Sequence, residues 1–172
     1  MKRFAFWSAF LVLGTPALAS AMEELGMIEA TFDGESFAHP TVNFPDWDEA
    51  TAVLFVMGAG LSELGIAGYG TDSRRIELSV TYRTEQPGPE SEMIGHFVRY
   101  VPDKTGKSWA SGEAATPPNF TFTTLEVDGE GGRAVGTFKA ELCFEDIFES
   151  GTDPENCRPI EGSFDTALIV GQ

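Results

Sequence analysis

Basic residues, histidines and helix signals are all scarce in this chain of 172 residues, and each scarcity excludes something. Only 11 Lys and Arg stand against 27 Asp and Glu, a formal net charge of −16. Phosphate backbones repel such a chain, and no basic stripe offsets the effect, so nucleic acid is excluded as a partner. Anionic membrane surfaces are disfavoured for the same reason. The two histidines are His39, before Pro40 in an expected loop, and His96, in an expected strand. No serine sits in a Gly-x-Ser-x-Gly elbow, so the sequence carries no nucleophile motif. Its 27 acids make some carboxylate pair inevitable, so acid abundance does not point to glycoside hydrolysis.

Cysteine is nearly absent too. Cys143 and Cys157 are the only two, with no Cys-x-x-Cys motif and no spacing to the histidines that suits zinc. An even number of cysteines in an oxidising compartment predicts a Cys143–Cys157 disulfide, worth roughly 3 kcal/mol in the chain-entropy model. Long apolar runs are missing after the first residues. The longest, Ala52 to Met57, is strand-sized. Gly58-Ala59-Gly60-Leu61-Ser62-Glu63-Leu64-Gly65 has glycines like those of a dinucleotide loop. Its third glycine is displaced and no helix pattern follows, so it is expected to be a flexible connection, extended by Gly68-Tyr69-Gly70.

The start of the chain carries a clear positive signal. Met1-Lys2-Arg3 is a basic head, and Phe4 to Leu13 is apolar but for Ser8. Gly14-Thr15-Pro16 breaks any helix, and Ala17-Leu18-Ala19-Ser20-Ala21 supplies small residues at cleavage spacing. This predicts a signal peptide over 1–21 and one domain over 22–172, periplasmic or secreted, with no membrane insertion after cleavage. Losing Lys2 and Arg3 leaves nine basic residues against 27 acidic ones, a net of −18.

The rest reads as strands. In Arg75 to Arg83, Ile76, Leu78, Val80 and Tyr82 face one way and polar residues the other. Arg133 to Phe144 repeats this, with Ala134, Gly136, Phe138, Ala140, Leu142 and Phe144 on one face and Arg133, Val135, Thr137, Lys139, Glu141 and Cys143 opposite. Ile160 to Val170 turns Ile160, Gly162, Phe164, Thr166, Leu168 and Val170 inward. Weaker strands are predicted over Gly26–Phe32, Ala52–Met57, covered on both faces, Met93–Val101 and Phe120–Val127, with a bulge near Thr123-Thr124. Single helical turns are expected over Asp46–Ala50 and Ser62–Leu64. Asp33-Gly34, Pro87-Gly88-Pro89 and Asp128-Gly129-Glu130-Gly131-Gly132 are turn signals. The predicted class is all-β, a single antiparallel β-sandwich, with a closed β-barrel as the alternative.

Gly136-Thr137-Phe138-Lys139-Ala140 followed by Gly162-Ser163-Phe164-Asp165 resembles the closing hairpin of uncharacterised secreted bacterial β-sandwich proteins. Those pair a Gly-Thr-Phe-x-Ala strand with a final Gly-x-Phe-Asp strand. The resemblance covers only the last two strands and implies an all-β fold ending at the C-terminal strand. It implies no activity.

Two groups of candidate site residues emerge. Between the cysteines lie Glu145, Asp146, Glu149, Asp153, Glu155 and Asn156. Asp146, Glu149, Asp153 and Glu155 are candidate Ca²⁺ ligands, although their order does not match an EF-hand. Acidic loops of this kind are commonly just solvated, and no other cofactor is implied. Trp47, Tyr69 and Trp109 sit in polar or Gly-rich surroundings, where loop aromatics can stack on a sugar ring or anchor a protein. Partly buried rim positions are the alternative for them.

The expected function is an exported, non-catalytic binding or interaction module for a protein or glycan. The alternatives are a carrier of a small apolar ligand inside a barrel and, after that, a hydrolase. Amino-terminal sequencing of exported material is expected to begin at Ser20 or Met22. Met1 on the soluble exported protein overturns the signal-peptide reading.

Overall fold

Residues that alternate in polarity with period two build nearly all of the structure. The computed structural model describes residues 22–71, 73–146 and 151–171. Strands β1 (Glu23–Phe32) and β2 (Glu35–Phe44) form a hairpin at Asp33-Gly34, where both residues have positive φ. A 3-10 turn over Pro45–Trp47 leads to β3 (Glu49–Ala50). Then come β4 (Ala52–Gly58), β5 (Leu61–Tyr69), β6 (Arg75–Tyr82), β7 (Met93–Val101) and β8 (Lys107–Ala110). The last three are β9 (Asn119–Asp128), β10 (Gly131–Asp146) and β11 (Gly151–Gly171).

The protein is all-β, as expected. Its strands form one sheet in the order β3-β2-β1-β11-β4-β5-β6-β7-β8-β10-β9. An added β10–β11 pairing joins β11-β4-β5-β6-β7-β8-β10 into a ring of strands. The pairing is not wholly antiparallel. The end of β11 runs parallel to β4, with Ile169 opposite Val53 and Gly171 opposite Phe55. Among the described residues no helix is long and apolar enough to cross a membrane.

The strongly alternating segments behave as the sequence predicts. Ile76, Leu78, Val80 and Tyr82 are buried, as are Ala134, Phe138, Leu142, Ile160, Phe164 and Leu168. The expected bulge is Thr123: Val135 opposes Thr124 and Gly136 opposes Phe122, which skips one residue. Thr123 Oγ1 donates to Val135 O at 3.2 Å. Aromatic rings fill the interior. Phe32 meets Tyr100 and Trp109, each at 5.2 Å between ring centres, and Phe122 meets Phe164 at 5.4 Å. Leu64, Ile66, Leu78, Val80, Phe120, Phe122 and Phe164 close around a space too small for one water molecule.

Several expectations need correcting. The Gly-rich segment after β4 is strand β5, not a flexible loop, and it leaves no helical turn at Ser62–Leu64. Its inward residues are Ser62, Leu64, Ile66 and Gly68, so two of four are small or polar and the alternation is muted. Gly68 is required because a Cβ there would lie 2.9 Å from His39 Cβ. His39 is therefore a buried strand residue of β2, not a loop histidine. The helical turn expected over Asp46–Ala50 is the 3-10 turn at Pro45–Trp47, followed at once by β3. Strand β4 is covered on one face only, and Phe55 and Met57 are exposed on the other.

Two reciprocal contacts explain the Gly-x-Phe pattern of the last strands. Phe138 opposes Gly162, and Gly136 opposes Phe164. A Cβ on Gly162 would lie 2.3 Å from Glu29 O and 2.7 Å from the Phe138 ring, and one on Gly136 would lie 2.5 Å from Thr121 O and 2.7 Å from the Phe164 ring. Each ring lies over the glycine across from it, where no side chain fits. Gly162→Ala is expected to destabilise the fold by about 1–3 kcal/mol through overpacking. Gly65→Ala, where nothing lies within 4 Å, is the matched control and should shift stability little. Urea denaturation of both variants checks this, and equal midpoints overturn the packing argument.

Candidate functional site

Strand β11 lies between β1 and β10 over residues 160–166, so its outward side chains meet neighbours on both sides. The register builds continuous polar rows across five strands. One row runs Ser36, Thr31, Glu161, Lys139, Asn119 from β2 to β9. The next runs Ala38, Glu29, Ser163, Thr137, Thr121. Period two puts these residues outward while Ile160, Phe164 and Thr166 are buried beneath. Thr166 is the polar member of that inner face, and its hydroxyl is satisfied by Thr41 at 2.6 Å.

The outer face is hollowed into two open troughs. The first, about 720 Å³, has Glu29, Ser36 and Thr137 along it. The second, about 770 Å³, has Asp33, Pro117, Glu141 and Pro159. Thr31, Lys139 and Glu161 line both, so the troughs meet there. Each has the volume of an ordinary ligand site.

Ion pairs organise the face. Lys139 Nζ lies 2.9 Å from Glu161 Oε2. Arg133 donates twice to Asp165, from Nε at 3.1 Å and NH2 at 2.9 Å. Arg158 pairs with Asp33 at the trough wall and lies over the Trp109 ring, 4.8 Å from its centre. The hydrogen bond from Lys139, then its charge, holds the Glu161 carboxyl below the usual range. The same bond and the carboxylate charge raise Lys139. These groups are exposed, so the pair positions charge and adds little stability. Glu29 and Glu141 have no ion-pair partner among the described residues.

The residues singled out from sequence lie elsewhere. Trp47 is exposed at the 3-10 turn and stacks on Phe44, 5.5 Å between ring centres. Tyr69 is exposed at the end of β5. Trp109 is a correction: it is buried, packed against Phe32 and Phe144. Short β8 is held between β7 and β10, which turns Trp109 into the core despite polar neighbours in sequence. The three aromatics therefore do not form one site.

Cys143 and Cys157 are bonded, as expected, and stand directly opposite each other in β10 and β11. Of the candidate Ca²⁺ ligands, Glu149 lies outside the described residues. Asp146 ends β10 opposite Gly151. Asp153 accepts a hydrogen bond from the Glu155 backbone N–H at 3.1 Å. Among the described residues no group of three His, Cys, Asp or Glu side chains is placed to hold a metal. Glu145 is tied up instead, accepting from Arg99 at 3.1 Å, Ser108 at 3.0 Å and Thr152 at 3.3 Å.

Comparison with family models, curated proteins and solved structures finds no match to the chain. The site is therefore read from its own chemistry. Hydroxyls, carboxylates and one ammonium group in register suit recognition by hydrogen bonds and ion pairs. The sequence already places Arg133, Thr137, Lys139 and Glu141 on one face. Their partners on β1 and β11 were the missing part, because pairing across strands is not written in any one segment.

In an NMR titration, the Glu161 side chain is expected to ionise at lower pH than a Glu in an unstructured peptide. Lys139→Gln should move that midpoint back up. Because folding lowers this carboxyl, the stability it adds is present above the ordinary carboxylate range and is lost as pH falls through the lowered value. An unchanged midpoint in Lys139→Gln shows that the pair is not formed in solution.

Proposed function

We propose that this chain is an exported, non-catalytic binding module whose ligand site is the polar outer face of β1, β11 and β10. The observation that carries this reading is the junction of the two troughs at Thr31, Lys139 and Glu161. Side chains from three strands converge there with donors and acceptors turned outward. The export reading is supported by the basic head and apolar run at the chain start. The disulfide is compatible with an extracellular or periplasmic location. Recognition on the surface is favoured over carriage of an apolar molecule because the interior is packed with Phe, Tyr and Trp rings.

The test uses the exported protein on a glycan array and a peptide array, beside a variant carrying Ser163→Arg. Ser163 is outward at the centre of the first trough, so a long charged side chain there blocks the face and spares the core. Binding to at least one class of spot is expected, with a loss of tenfold or more in the variant at unchanged melting temperature. Equal binding by the variant overturns the assignment of this face. Apolar ligand found by mass spectrometry in the purified protein points to a carrier instead.

A further inference from the structure

The charge pattern along the joined troughs is uneven. Lys139 and Glu161 neutralise each other at the junction. Arg158 neutralises Asp33 at one wall. Glu29 in the first trough and Glu141 in the second have no such partner among the described residues. Register places Glu29 opposite Ser163, and Glu141 opposite Pro159. Those two positions on β11 are four residues apart, about 13 Å along the strand, and β1 and β10 stand about 10 Å apart across it. The backbone positions of the two residues therefore lie roughly 16 Å apart on a diagonal, one on each side of a neutral centre.

We propose that the joined troughs bind an extended basic polypeptide segment whose Lys or Arg side chains at positions i and i+4 meet Glu29 and Glu141. In an extended segment such residues share one face and lie about 13 Å apart, and their long side chains cover the remainder. The hydroxyls of Thr31, Thr137 and Ser163 lie along the path and offer hydrogen bonds to its backbone. Pro117 and Pro159 in the second trough offer apolar contact without competing donors. The strongly negative net charge, −16 for the full chain, attracts a basic partner before contact, which raises the rate of encounter. A compact ligand would fill one trough and leave the other carboxylate unused.

This inference rests on the binding-module reading, and the experiment separates the two. The probe is acetyl-Lys-Thr-Val-Thr-Lys-amide, followed by amide NMR shifts of the exported protein. Shifts are expected at Thr137, Glu161 and Ser163, weakening as salt rises. The variant carrying both Glu29→Gln and Glu141→Gln should bind at least tenfold more weakly. Glu49→Gln, on exposed β3, should bind as the parent does. Unchanged affinity in the double variant overturns the inference, as does equal binding of acetyl-Glu-Thr-Val-Thr-Glu-amide. Spermine, which has the charges without a peptide backbone, overturns the polypeptide assignment if it binds as tightly. If maltopentaose shifts these amides and the Lys peptide does not, the basic-segment inference falls and the binding face stands. If none of the four probes shifts them, both fall.

Discussion

Phe138 and Phe164 each lie across the glycine of the facing strand, and this exchange fixes how β10 meets β11. A slip of one residue would turn every inward side chain of one strand outward and set each ring against a backbone with no room for it. The Cys143–Cys157 bond holds the same register at the far end of the pair. Other pairings follow from it. Strand β11 is also the neighbour of β1 and β4, and β10 is the neighbour of β8 and β9. The row from Ser36 to Asn119 exists because Lys139 stands opposite Glu161, and that placement comes from the aromatic–glycine lock beneath it.

Segments with large apolar residues at every second position were legible. Strands β6, β10 and the second half of β11 declare themselves because Ile76, Leu78, Val80, Phe138, Leu142, Phe164 and Leu168 leave little doubt about which side is inside. Strand β5 was not legible because its inner face includes Ser62 and Gly68, chosen by what they touch rather than by hydrophobicity. Ser62 donates to Thr84 O at 2.6 Å, and Gly68 makes room for His39. Strand β2 was hidden by His39-Pro40, since a buried histidine reads as a loop residue until its neighbours are known. Trp109 failed for the opposite reason: its local sequence is polar, but β7 and β10 enclose the short strand that carries it.

The site shows the same division between local and non-local information. The outward faces of β1, β10 and β11 can each be written down from alternation. Which outward residue stands beside which depends on how the strands pair, and between β1 and β11 the paired residues are more than a hundred positions apart, such as Glu29 with Ser163. The acidic residues between the cysteines drew attention by density alone. In the structure Asp153 serves the local turn and Glu145 the link to Arg99. Sparse carboxylates at fixed spacing on a formed sheet carry more chemical information than a dense group on one loop.

The parallel join between β4 and the end of β11 bears on when this protein can fold. In the sheet, β11 separates the β1–β2 hairpin from the β4–β5–β6–β7 meander. It comes after every other described strand in the chain. A chain delivered only up to about β10 lacks the strand that pairs with both β1 and β4, and the hairpin meets the meander only through contacts such as His39 against Gly68. Their union waits for a strand whose partners lie far back in the sequence, so folding is slow and occurs late rather than progressively. A chain built this way remains threadable for as long as its last strand is missing.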